Sequence, residues 1–185
     1  MMVLESTSLR QGRALHRLLE IMGRRFLMGH SLSKPSLDRP LWALALASYA
    51  LKPDDAQAVI ESAWSMVHAP RSRELLGLDQ PPAIFEQAGH ALAIEREWSD
   101  ASAAVIRPDW VCIGPQAIRI IDFKWRCLSS ELSDYAAQLS RYQQALQDKA
   151  AGHAISSWIL TADGEVWMLE EGRLVHCQVA GRPAS

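Results

Sequence analysis

Asp109 follows Arg107 and Pro108, and after a turn the chain continues Ile120-Ile121-Asp122-Phe123-Lys124. On a strand, residues two apart share a face, so Asp122 and Lys124 point one way while Ile121, Phe123 and Trp125 point the other, into a core. A hairpin between the two segments returns Asp109 to the side of Asp122 and gathers two carboxylates and an ammonium in one patch. Two hard oxygen ligands with room for water suit Mg²⁺ or Mn²⁺, and a neighbouring lysine can orient an attacking water or help deprotonate it. Taken alone, Asp-x-Lys is also the pattern of a surface ion pair on a half-exposed sheet.

Other side chains stand where they can join such a patch. His16 falls at the edge of a helical stripe made by Leu15, Leu19, Met22 and Phe26, between Gly12 and Gly23. Gln138 and Tyr142 are one helical turn apart and so are neighbours on one face. Glu95 and Glu97 share a strand face if their segment is extended, and the period of two does not choose between them.

The elements that must position these residues follow from periodicity. Residues 8–26 form a first helix with Ser8 as its cap. A second helix fills Leu41 to Leu51, and a third follows Pro53, with Asp54 and Asp55 in its first turn. Ala69 to Pro82, with four prolines and glycines, is a boundary carrying at most a short helix at Glu74 to Leu76. Beyond Gly89 the period changes to two. Ala91 to Trp98, Ala103 to Ile113 and Ala117 to Trp125 are predicted strands, Leu132 to Lys149 is a helix, and Ile155–Thr161, Glu165–Glu170 and Leu174–Val179 are strands. Asp163-Gly164 and Glu171-Gly172 join the last three as tight turns. The predicted fold class is α/β with a mixed central sheet flanked by helices. Residues 1–185 are expected to be one domain, with a helical subregion over about 1–82 and a sheet core over about 90–180.

Composition narrows the class. At 185 residues the chain should bury roughly 70% of the surface its unfolded form exposes, so neither disulfides nor a structural metal are needed for folding. Its net charge of −2 is too neutral to announce a nucleic-acid partner. Cys112, Cys127 and Cys177 form no metal-ligand cluster, and the chain shows neither a membrane span nor a signal peptide, so a cytoplasmic location is expected. Residues 1–25 nevertheless hold five arginines against two glutamates, and Arg13 and Arg17 share the helix with His16.

Pro-Asp, a short gap and Asp-x-Lys, taken with the other blocks, resembles the PD-(D/E)xK nuclease superfamily, in its RecB-like branch. Arg10-Gln-Gly12-Arg-Ala-Leu-His16-Arg-Leu-Leu-Glu20 resembles that branch's N-terminal helix, whose histidine joins the metal site. Ile94-Glu95-Arg-Glu97-Trp98 is similar to the strand before the first catalytic aspartate. Tyr135-Ala-Ala-Gln138-Leu-Ser-Arg-Tyr142 resembles its Gln-x-x-x-Tyr helix. The resemblance spans residues 10 to 146 and implies a restriction-endonuclease-like core with an N-terminal helical insertion. It implies a Mg²⁺- or Mn²⁺-dependent deoxyribonuclease of DNA end processing and repair, with His16, Asp109, Asp122 and the Phe123 carbonyl as ligands. Lys124 would serve the water, and Gln138 and Tyr142 would position the DNA backbone or hold Lys124. Arg13 and Arg17 would meet phosphates, with Glu95, Glu97 and Tyr135 as further candidates.

Such domains often sit at the C-terminus of a helicase-nuclease, so the expected partners are single-stranded or end-containing DNA and a helicase motor in the same polypeptide or complex. Two alternatives remain. The chain could be a weakly active DNA-holding or partner-docking module of a helicase complex, or a sequence-specific restriction enzyme. Trp125 departs from the small polar residue that often follows the lysine. The iron–sulfur cysteines of some relatives are missing, and the chain has no GxxxxGK[ST] phosphate loop.

Overall fold

The computed structural model describes residues 6–81, 84, 86, 89–99, 104–147, 149–150 and 152–177. Helix α1 (Thr7–Leu27) begins where the Ser6 hydroxyl accepts the Leu9 amide, two residues ahead of the expected Ser8 cap. Its buried stripe runs from Ala14 through Leu15, Leu18, Leu19 and Met22 to Phe26. Helix α2 (Pro40–Ala47) is shorter than the expected Leu41–Leu51. An all-apolar run has no period to mark its end, and Ala50 takes a positive φ of 47° in the turn toward Pro53. Helices α3 (Pro53–His68) and α4 (Pro70–Leu76) each start on a proline, whose missing N–H costs nothing in a first turn. Gly77 ends α4 in the left-handed conformation.

Among the described residues eight strands follow: β1 (Ala91–Ile94), β2 (Trp98–Ser99), β3 (Val105–Ile106), β4 (Trp110–Ile113), β5 (Ala117–Lys124), β6 (Ala154–Thr161), β7 (Val166–Glu170) and β8 (Arg173–His176). Six of them make a mixed sheet in the order β1-β4-β5-β6-β7-β8, while β2 and β3 pair as a separate two-stranded ribbon. The expected β4–β5 hairpin is present, with Trp110 opposite Ile121. β5 and β6 run parallel, and helix α5 (Leu132–Gln147) makes the crossover between them.

Two expected strands are broken, and both breaks matter. Ala91–Trp98 stops at Ile94 because Glu95 adopts φ +50°, which no strand accommodates. Ala103–Ile113 is interrupted at residues 107–109, and residues 101–103 lie outside the described part. The last described strand is β8, and Val179 lies outside the described residues. Glu171 and Gly172 both have positive φ, as a two-residue primed hairpin turn requires.

The sheet is covered on both faces. Ile94, Trp110, Ile121, Phe123 and Leu160 pack under α1, α3 and α4, while Val111, Ile118, Ile120 and Ile159 pack under Leu139, Tyr142 and Leu146 of α5. The alternation along β5 thus sends Ile121 and Phe123 to the α1 side and Asp122 and Lys124 to the α5 side. Trp125 lies past the strand end and is half-buried against the first core rather than inside it. Among the described residues no helix is long and apolar enough to cross a membrane.

Candidate metal centre and cleft

The two strand breaks and α1 meet at Asp109. Its Oδ2 accepts the Phe123 amide at 2.7 Å, and its backbone carbonyl accepts the Glu95 amide at 3.0 Å. The carboxylate is therefore fixed by the backbone of β5 and not by a flexible neighbour. Asp109 Oδ1 lies 3.2 Å from His16 Nδ1, and His16 Nε2 lies 2.6 Å from the Phe123 carbonyl oxygen. Both ring nitrogens thus face acceptors, and both contacts are satisfied together when the ring is protonated. Burial pushes the imidazole pKa down, but the charge and hydrogen bond of Asp109, helped by Asp122, outweigh it and lift the pKa to about 9.

On the α5 side, Lys124 Nζ stands 2.5 Å from Asp122 Oδ2 and donates to Gln138 Oε1 at 3.4 Å. Gln138 Nε2 donates to Asp122 Oδ1 at 3.2 Å and to the Tyr142 hydroxyl at 2.7 Å. Lys124 also sits 4.6 Å from the centre of the Tyr135 ring, whose hydroxyl donates to Glu131. Asp122 is only 2% exposed. Its burial, then the charge of Asp109, raise its pKa against the pull of Lys124. Burial lowers the pKa of Lys124, yet Asp122 and Asp109 reverse this and raise it, so the ammonium stays charged.

Of the two glutamates that the alternation left open, Glu95 reaches the site. With the strand ended at Ile94, Glu95 and Glu97 share no face, and Glu97 is exposed. The positive φ turns Glu95 toward Asp109, and Arg107 Nε holds its Oε2 at 3.0 Å. Burial and then Asp109 raise the Glu95 pKa to about 7, with Arg107 opposing.

One ligand atom each from His16, Glu95 and Asp109 lie within 4.8 Å of one another. Hard divalent cations bind oxygen at about 2.0 to 2.6 Å, so one atom from each of these three side chains can reach a single ion. Asp122 stands behind this group, its two oxygens engaged by Lys124 and Gln138.

A cleft of about 790 Å³ opens over His16, Glu95, Phe123 and Lys124. Arg13 and Arg17 line it, as their place on the helix of His16 led one to expect, and so does Tyr135. Gln138 and Tyr142 do not line it. They support Lys124 and Asp122 from beneath, because α5 packs on the sheet face away from α1, which is the second of the two roles expected of them, holding Lys124. Arg24, Glu20, Arg107 and Tyr49 line the cleft without having been singled out. For Arg24 and Glu20 a signal existed: they stand at helical spacing from His16. Arg107 and Tyr49 carry no such mark, since only the strand interruption at 107–109 and the turn after α2 bring them in. No family model and no curated protein matches the chain.

Proposed function

We propose that the chain is a metal-dependent deoxyribonuclease with a restriction-endonuclease-like core, acting on DNA ends. One observation carries the reading: the His16 imidazole is wedged between the Asp109 carboxylate and the Phe123 carbonyl, one residue from a buried Asp122–Lys124 pair, at the floor of a cationic cleft. His16, Glu95 and Asp109 would hold Mg²⁺ or Mn²⁺, the imidazole giving up its proton to do so, with Asp122 and the Phe123 carbonyl as neighbouring oxygens. Such an ion stabilises charge on the phosphate and acidifies water. The chain's own part is positional. Asp109, tied to the β5 backbone, fixes where negative charge can be neutralised. Lys124 is cationic, so it orients the water and stabilises charge by donation and is not a base. Gln138, Tyr142 and Tyr135 hold that ammonium in one place. In-line attack on the phosphorus by water would leave a 5′-phosphate and a 3′-hydroxyl.

The test is digestion of linear, circular, single- and double-stranded DNA in Mg²⁺ or Mn²⁺, with Asp122→Ala and Asp109→Asn beside the wild type. Activity confined to the wild type is expected, and equal inactivity of all three under every condition would refute a free-standing enzyme. A second reading, a docking module of a helicase complex, is favoured by α2, which exposes Leu41 at 44% and Leu44 at 78%. Co-purification of a motor subunit with wild type but not with Leu44→Glu would support it.

A further inference from the structure

We propose that α1 is a phosphate rail: Arg17 and Arg24, both gripped by Glu20, form a second phosphodiester-binding subsite that takes the nucleic-acid backbone about two phosphates away from the metal centre. The proposal rests on the nuclease reading above and adds the path of the strand. Arg13, Arg17, Glu20 and Arg24 recur at spacings of four, three and four, which makes one stripe along a helix. With His16 they line a single wall of the cleft.

The grip itself is specific. Glu20 Oε2 holds Arg17 Nη1 at 2.8 Å and Glu20 Oε1 holds Arg24 Nη2 at 2.9 Å, so one carboxylate serves two guanidiniums with separate oxygens. The glutamate is 17% exposed while the arginines are 46% and 54% exposed. The anion lies beneath and the two cations lie above it. A guanidinium has five N–H donors, and with one given to Glu20 the others remain for phosphate oxygens. Pairing with Glu20 also removes much of the rotamer freedom that an exposed arginine would lose on binding.

The helix supplies the ruler. At about 1.5 Å per residue, Arg24 stands about 12 Å along the axis from His16, whereas Arg17 is adjacent to it. Successive phosphates of an extended single strand are about 6 Å apart, by the per-nucleotide reach of its backbone, so Arg24 meets the second phosphate beyond the one at His16. A substrate with a single phosphodiester cannot reach it.

The experiment compares wild type, Arg24→Ala and Glu20→Gln on a dinucleotide and on an eight-nucleotide DNA, with Kd for the longer strand measured against KCl in Ca²⁺. Expected for Arg24→Ala are unchanged kinetics on the dinucleotide, a KM on the longer strand raised about tenfold, and a slope of log K against log salt that is shallower by about 0.7. Glu20→Gln removes a negative charge from the cleft. Charge alone would tighten binding, whereas loss of a grip weakens it, and weaker binding is expected. An Arg24→Ala protein that cleaves and binds the eight-nucleotide strand like wild type, or a Glu20→Gln protein that binds it more tightly, overturns the rail while leaving the nuclease reading intact. Wild type that cleaves neither substrate overturns the nuclease reading, and the rail with it.

Discussion

Two glycines on α1 separate helix propensity from packing, and so test the docking that creates the site. Gly12 and Gly23 both lie inside the helix, where alanine is favoured by about 1 kcal/mol. A Cβ at Gly12 would meet only Trp125 Cβ at 3.6 Å, an ordinary contact. A Cβ at Gly23 would lie 2.3 Å from Trp110 Cζ3, 2.4 Å from Ile94 Cδ1 and 2.6 Å from Trp110 Cη2. Carbon atoms need about 3.5 Å or more, so something must move by more than 1 Å. Trp110 cannot yield easily, because its indole N–H donates to the buried Leu76 carbonyl at 3.1 Å and its backbone pairs with β1 and β5. The helix must then lift from the sheet, at a cost of about 1 to 3 kcal/mol for overpacking.

Since the propensity gain is common to both, Gly23→Ala should unfold in urea with about 1 to 3 kcal/mol less stability than Gly12→Ala, which should equal or exceed wild type. Gly23→Ala should also bind Mn²⁺ more weakly, because His16 rides on the same helix and its contacts at 2.6 Å and 3.2 Å do not survive such a lift. Ile94→Ala should partly restore both properties. Equal stability of the two glycine variants would refute the packing that places α1 on the sheet.

Two further outcomes concern protons and the lysine. In its metal-free form the folded protein retains the Glu95 proton between about pH 4.5 and 7 and the His16 proton between about 6.5 and 9, where the unfolded chain has released them. Stability should therefore fall as pH rises through these windows, by about 2 kcal/mol in all after allowance for partial exposure. Urea melts in EDTA from pH 5 to 9 check this, and a rising profile would contradict it; Mn²⁺ should raise Tm more at pH 8 than at pH 5.5. Lys124→Ala should lower turnover about 10²- to 10³-fold with Mn²⁺ binding near wild type. Gln138→Ala, which leaves the lysine unheld, should lower it about 10- to 100-fold. Initial rates and Mn²⁺ titration measure both, and a fully active Gln138→Ala protein would show that the amide does not hold the lysine.

The residues that were legible in sequence are those whose surroundings repeat. The α1 stripe repeats because a helix on a sheet buries one face, and the alternation of β5 repeats because its two faces meet different helices. Asp122 and Lys124 could be placed together on that pattern alone. Where the pattern stops, sequence reasoning stops with it. Glu95 looks like one more strand residue, and nothing local announces that it will adopt a positive φ and turn its carboxylate toward His16. The end of α2 is hidden because Leu41 to Ala47 is apolar on every side. The Glu20 grip is hidden for the opposite reason, since Arg and Glu at i+3 and i+4 are what any solvated helix face shows. The Gln138–Tyr142 pair was visible as a pair, but which side of the sheet it would occupy depended on the crossover between parallel strands.

The site is also a latch. His16 and Phe123 are 107 positions apart in the chain, and their 2.6 Å contact exists only when α1 lies on the sheet. Beneath that contact Glu95, Asp109 and Asp122 crowd together, and carboxylates brought so close disfavour one another's ionisation. His16, Lys124 and Arg107 supply three positive charges to these three negative ones, Arg107 being the most exposed of the three cations. Burial first, and then the charge of Asp109, raise the pKa values of Glu95 and Asp122, so a proton or a cation relieves the crowding. On the proposed reading a divalent ion would relieve it further and would tie His16 of α1 to Glu95 and Asp109 at once. Cation binding and helix docking would then be one equilibrium, in which whatever loosens α1 should cost metal affinity and whatever binds metal should hold α1 down.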